Sequence, residues 1–248
     1  MRGKLIVAAG CAVVLSGCAV AAPVPTAPAP VVATSSATAA TTTPAATAVP
    51  TTPATTAAPA ARRTAAPVGT PYAVRGLVLV NRQHPLAASY VPPWADSDPA
   101  GLSPELRAAL QGLFAAAKAD GYTLKVRSGY RSYAQQKQSY NDALATYDSA
   151  TANRYFAPPG ASEHQTGLAA DVTNAQNVRG YAFKELPEAA WVAAHAAEFG
   201  LIVRYPEAGE PITGIAWEPW HLRYVGKAVA AEFAARPGLT LEEYLGEA

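Results

Sequence analysis

The chain has 248 residues, 50% hydrophobic and 15% charged, which suits one folded body with an appendage and excludes a wholly disordered or collagen-like polymer. Its formal charge is +1, but the first 70 residues hold Arg2, Lys4, Arg62 and Arg63 and no acid, so the remaining 15 basic and 18 acidic residues leave a body of −3, which argues against a nucleic-acid partner. Both cysteines, Cys11 and Cys18, lie in the first eighteen positions, so no disulfide can staple the rest, and stability must come from a core and a metal if one binds.

Residues 1–18 combine a basic start (Arg2, Lys4), an apolar run from Leu5 to Leu15 and small residues ahead of Cys18, which is secretory-signal architecture. The run is too short to span a bilayer. Leu15-Ser16-Gly17-Cys18 resembles a bacterial lipobox, which implies that Cys18 is lipidated and tethers an extracytoplasmic protein to the cell membrane; an ordinary cleaved signal is the alternative. Residues 19–70 contain 19 Ala, 13 Thr and 9 Pro and no aromatic residue, so they cannot bury enough surface to fold. This linker would span about 40 Å as a coil and about 160 Å as an extended polyproline helix. Its Thr and Pro content also suits O-glycosylation.

The folded part is expected over residues 71–248. Leu77 to Asn81 reads as a strand. Ser103-Pro104-Glu105 reads as an N-cap, a proline at the first helical position and an acid in the first turn, opening a helix with Leu106, Leu110, Leu113, Phe114 and Ala117 on one face that stops at Gly121. Tyr122 to Arg127 alternates like a strand, Ser128-Gly129 makes a turn, and Ser132 with Gln135 forms a capping box for a helix reaching about Tyr147. After a Pro- and Gly-rich loop come a strand at Leu168 to Thr173, a helix at Pro187 to Phe199 closed by Gly200, and strands at Leu201 to Tyr205 and Trp220 to Val225. With no βαβ spacing and no Gly-rich phosphate loop, the pattern predicts an α+β fold around a small antiparallel sheet flanked by helices.

Two of the four histidines sit in unusual surroundings, Ser162-Glu163-His164-Gln165-Thr166-Gly167-Leu168-Ala169-Ala170-Asp171 and Trp217-Glu218-Pro219-Trp220-His221. A zinc hydrolase needs three protein ligands, commonly two imidazoles and a carboxylate, and a fourth position open to water. His164, Asp171 and His221 would supply that set. It also needs a carboxylate near the metal but not on it, and Glu218, three residues before His221 and between two tryptophans that would raise its pKa, could move the proton. The other reading is of structural histidines and a rim carboxylate. Arg131, just after a strand-ending turn, could aim two donors at an oxygen gaining charge, or pair with a surface acid. Ser162 and Gln136 could hold a peptide carboxylate and backbone, or be polar surface residues. His84 and His195 are read as non-functional, and the four tryptophans as core or groove wall.

These two segments, with Ser128-Gly129-Tyr130-Arg131-Ser132, the run from Leu222 to Gly226 and the stretch from Leu79 through His84-Pro85-Leu86 to Tyr90, resemble the VanY-type zinc D-alanyl-D-alanine carboxypeptidases over residues 75–227. The resemblance implies the hedgehog/DD-peptidase α+β fold, Zn2+ held by His164, Asp171 and His221, Glu218 as catalytic base and Arg131 on the oxyanion. It implies removal of the terminal D-alanine from peptidoglycan stem peptides, and the protein is expected to act as a monomer. An L,D-carboxypeptidase or L-Ala-D-Glu endopeptidase of the same fold and a non-catalytic wall-binding lipoprotein remain alternatives. A non-haem iron oxygenase ranks last, because its histidine and carboxylate normally lie closer in sequence.

Overall fold

The structure, a computed structural model, describes residues 69–248; the expectations for the signal segment, Cys18 and the linker up to residue 68 fall outside them. A four-stranded antiparallel sheet, β3 (Leu124–Ser128), β4 (Ala169–Asn174), β6 (His221–Tyr224) and β5 (Leu201–Val203), runs in the spatial order β3-β4-β6-β5. Helices α1 (Pro104–Ala119) and α5 (Pro187–His195) pack on it, giving the expected α+β architecture. Every residue of β4 is buried, so this central strand is covered on both faces, and its small residues Ala169 and Ala170 allow the close packing.

Local chemistry explains the boundaries. The Ser103 hydroxyl accepts the Leu106 N–H at 3.1 Å, Pro104 takes the first helical position, and α1 buries Leu106, Leu110, Leu113 and Ala117 with Phe114 partly buried. Helix α2 (Tyr133–Thr146) begins with the reciprocal Ser132–Gln135 capping box. The helix expected over 187–199 is α5 followed by a 3-10 turn at Ala196–Phe199, and Gly200 closes it at φ +81.

The strand expected over 77–81 is only β2 (Leu77–Val78), paired with β1 (Ala73–Val74) in a separate hairpin. The ladder stops because the Asn81 side-chain oxygen accepts the N–H groups of Gln83 and His84, drawing the chain into a turn. The loop after α2 contains a further helix, α3 (Ser149–Tyr155), capped by Asp148, and short helices α4 (Tyr181–Lys184) and α6 (Glu210–Thr213) follow. Two more helices, α7 (Lys227–Ala234) and α8 (Leu241–Leu245), close a second core cluster with Leu79, Ile202 and Val225. No helix among the described residues is long and apolar enough to cross a membrane.

Beneath β5 and β6 lies a buried ionic cluster. Glu163 accepts Arg204 Nε at 2.8 Å and Arg223 Nη1 at 2.6 Å, while Arg204 makes a two-pronged contact with Glu242 of α8 at 2.8 and 2.9 Å. Asn81 Nδ2 donates to Glu242 Oε1 at 3.1 Å, and Arg223 Nη2 to the Val78 carbonyl at 2.6 Å. Burial alone would favour neutral Glu163, but the two guanidiniums outweigh it and hold the carboxyl well below its usual range.

Removing one member leaves an uncompensated buried charge, so Glu242→Ala is predicted to destabilise the protein by about 3–5 kcal/mol in urea denaturation. Because the folded-state pKa of Glu163 is depressed, its contribution is present above the ordinary carboxylate value of 4.5 and is lost as pH falls below it, which an acid series of the same melts would read.

Candidate metal centre and active-site cavity

The sheet register assembles the centre. Ser128 of β3 faces Asp171 of β4, and Asp171 faces His221 of β6, so the three form one row across adjacent strands. His164 arrives from the 3-10 turn Glu163–Thr166, which ends at Gly167 in the left-handed region at φ +65. There a Cβ would lie 2.3 Å from Trp94 Nε1 and 2.6 Å from the Gly101 carbonyl, while the Trp94 indole N–H donates to the Thr166 carbonyl at 2.9 Å. Only glycine suits both the backbone and the space.

One donor nitrogen each from His164 and His221 and an oxygen of Asp171 lie within 4.8 Å of one another, and all three residues are buried. His164 Nδ1 lies 2.6 Å from the Gly129 carbonyl, which can only accept, so Nδ1 carries the proton and Nε2 offers its lone pair, 3.4 Å from Asp171 Oδ1. His221 Nδ1 is 3.1 Å from the same oxygen. The outer His221 Nε2 is buried without a hydrogen bond, 3.7 Å from the equally unpaired Glu163 Oε2, an arrangement able to tighten into a carboxylate–histidine–metal relay. Two imidazoles, one carboxylate and no thiolate fit a tetrahedral zinc ion at bond lengths of about 2 Å, with one corner left open.

Glu218 stands just outside this triangle, its Oε2 3.8 Å from His221 Nδ1, and burial pushes its carboxyl up to about 8. The charge of a bound divalent ion would act in the opposite direction. Burial lowers His164. It would lower His221 too, but the Asp171 hydrogen bond and charge, with the nearby Glu163 and Glu218 carboxylates, raise that imidazole to about 9. Asp171 is driven well below the usual carboxylate range, because the two imidazoles outweigh its burial.

Arg131 Nη1 donates to Gln136 Oε1 at 2.7 Å and Nη2 to Ser128 Oγ at 3.1 Å, so the guanidinium is held in place from both sides. Both ends of the Gln136 amide are engaged, since its Nε2 also donates to the Ala157 carbonyl at 2.6 Å; its geometry is that of a support for Arg131. Ser162 is buried, leaves the N–H groups of its turn uncapped, and lines a cavity of about 680 Å³ together with Arg131, Gln136, the ligand triad and Glu218. Thus seven of the eight residues singled out in the sequence meet in one cavity, and Cys18 is outside the described residues. His84 stacks on Tyr72 and His195 on Trp191, away from it.

Sequence reasoning passed over Glu163, Tyr205, Arg127 and Arg179. The first contacts His221 from outside the triangle, and the other three line the cavity. The signal for Glu163 was weak but present, because Arg204 directly follows the apolar β5 and Arg223 sits within β6, where a buried arginine needs an acid.

Residues 100–227 match the VanY family, described as D-alanyl-D-alanine carboxypeptidase. The chain belongs to that family. It is 40% identical over 183 residues to the carboxypeptidase YodJ of Bacillus subtilis strain 168 and 38% identical over 179 residues to the D-alanyl-D-alanine carboxypeptidase of Enterococcus faecalis. Each match covers 68% of this chain and 66% and 65% of those proteins, so the chain spans just under two thirds of their length. Among solved structures it is similar to the LdcB LD-carboxypeptidase (36% identity, TM-score 0.61, covering 72% of this chain and 94% of that one). It is also similar to a mutant of the vancomycin-resistance D,D-pentapeptidase VanY in complex with Zn(II) (37% identity, TM-score 0.59, covering 68% and 97%).

The raised His221 gives a sign to the pH dependence of metal binding. Below about 9 its proton must leave before the nitrogen can ligate, so zinc affinity is predicted to rise by up to tenfold per pH unit between 7 and 9, with proton release seen by calorimetry in buffers of different ionisation enthalpy. Asp171→Asn should abolish stoichiometric binding in the same experiment.

Proposed function

We propose that this VanY-family protein is a zinc D-alanyl-D-alanine carboxypeptidase that removes the terminal D-alanine from peptidoglycan stem peptides. The observation that carries the reading is the convergence of His164 Nε2, Asp171 and His221 Nδ1 within 4.8 Å, with the buried Glu218 3.8 Å from His221 and Arg131 lining the same cavity. The Zn(II) complex of the VanY relative supports zinc at this donor set.

Zinc, held by His164, Asp171 and His221, supplies a Lewis acid that acidifies water and polarises the scissile carbonyl. Glu218 accepts the proton of the attacking water and passes it to the amine of the departing D-alanine, for which a carboxyl poised near neutrality is suited. Arg131, held by Ser128 and Gln136, directs a donor at the carbonyl oxygen as it gains charge. Ser162 has a hydroxyl free to receive the terminal carboxylate at the buried end of the cavity. Gln136 acts on that carbonyl oxygen only through Arg131, and not on the terminal carboxylate.

The likeness to the LdcB LD-carboxypeptidase supports a second reading, cleavage of the L,D bond of a tetrapeptide stem. The lipobox-like Leu15 to Cys18 and the linker to residue 70 support a tethered, extracytoplasmic protein acting where the wall is built.

With zinc, the protein should release one alanine from a pentapeptide muropeptide, followed by mass spectrometry. Glu218→Gln should slow this by roughly a hundred- to ten-thousandfold while leaving zinc bound. Release from the tetrapeptide alone would move the assignment to the L,D reaction, and no product from either would leave a wall-binding role.

A further inference from the structure

The body of the chain is acidic, yet its cavity is lined by three arginines, Arg127, Arg131 and Arg179, against two acids, Asp171 and Glu218, both of which belong to the metal centre. Arg131 is accounted for by Gln136 and Ser128. Arg127 and Arg179 are not: both are exposed, and neither makes a hydrogen bond or ion pair with any described residue.

Their positions come from the backbone. Val126 pairs with Val172 and Ser128 with Asp171, so Arg127 is the extra residue of a β-bulge, a device that re-aims a side chain beside a site. Arg179 comes from the segment between β4 and α4, next to Gly180 at φ +51, and lines the same cavity. Apart from Asp171 and Glu218 the cavity lining holds no acid to neutralise them, and much of it is aromatic, including Tyr147, Tyr155 and Phe156.

We infer that Arg127 and Arg179 form an anion subsite at the cavity rim that recognises a second carboxylate of the substrate, upstream of the scissile bond. This rests on the carboxypeptidase reading. With the terminal carboxylate at Ser162, an extended peptide advances about 3.3–3.6 Å per residue, so a residue two or three places upstream reaches the rim about 7–10 Å away. Stem peptides carry free carboxylates there from two sources, the α-carboxylate of a γ-linked D-glutamate and the side-chain carboxylate of diaminopimelate. Two guanidinium forks suit either, whereas an amidated residue or a lysine in its place would lose the attraction or meet repulsion.

The test compares four pentapeptides, with both carboxylates free, with either one amidated, and with both amidated, on the zinc-loaded wild type and on Arg127→Ala/Arg179→Ala. Exposed charge pairs are individually weak, so a preference of about five- to twentyfold in kcat/KM for the free acid is expected, shrinking with added salt and lost in the double variant. The singly amidated peptides identify which carboxylate is read. Equal turnover of all four by the wild type, or a preference that survives in the double variant, overturns the subsite and leaves the carboxypeptidase reading standing. If no peptide is cleaved, calorimetric binding of the same four decides: a preference lost in the double variant keeps the subsite without the reaction, and equal binding overturns both.

Discussion

The structure depends on one buried carboxylate. Glu163 is fully enclosed and neighbours the ligand His164 in sequence, with one oxygen committed to Arg204 and Arg223 and the other facing the outer nitrogen of His221. Through Arg204 the cluster reaches Glu242 on α8, and through Arg223 the carbonyl of Val78 beside the N-terminal hairpin. Charges taken this far out of water hold only with every partner in place, so the cluster makes both ends of the domain a condition for a well-formed His221.

Around that anchor the sheet does the positioning. A row of three cross-strand neighbours, Ser128, Asp171 and His221, sets a support for Arg131, a candidate carboxylate ligand and a candidate imidazole ligand side by side, so no flexible loop has to carry them. The second imidazole enters from a tight 3-10 turn whose exit needs Gly167, and its tautomer follows from the Gly129 carbonyl. Charge then divides the cavity, with the acids gathered at the metal centre, Arg131 locked beside it and two unpaired arginines at the rim.

Much of this was readable in the chain. Ser103-Pro104 and Ser132 with Gln135 start α1 and α2 because capping is a local hydrogen-bond problem solved within four residues. The two histidines could be singled out because only four occur in the sequence, and Asp171 and Glu218 because their spacing from them suits a hydrolytic metal centre. Less was readable at Leu79 to Asn81, which reads as a strand but lies buried beyond the two-residue ladder with the Leu79 N–H bonded back to the Tyr72 carbonyl, and at α7 and α8, whose short helices draw their stability from packing.

The sequence by itself therefore determined the helix starts, the antiparallel α+β class and the donor set of the centre, since each rests on residue chemistry acting over short spans or on residue types with few other uses. Only the tertiary structure decided that Gln136 supports Arg131, that Glu163 backs His221, and that Arg127 and Arg179 face one cavity. Those relations join residues that are distant in sequence or redirected by a bulge. They follow from strand register and burial, which depend on the whole fold rather than on any local stretch of chain.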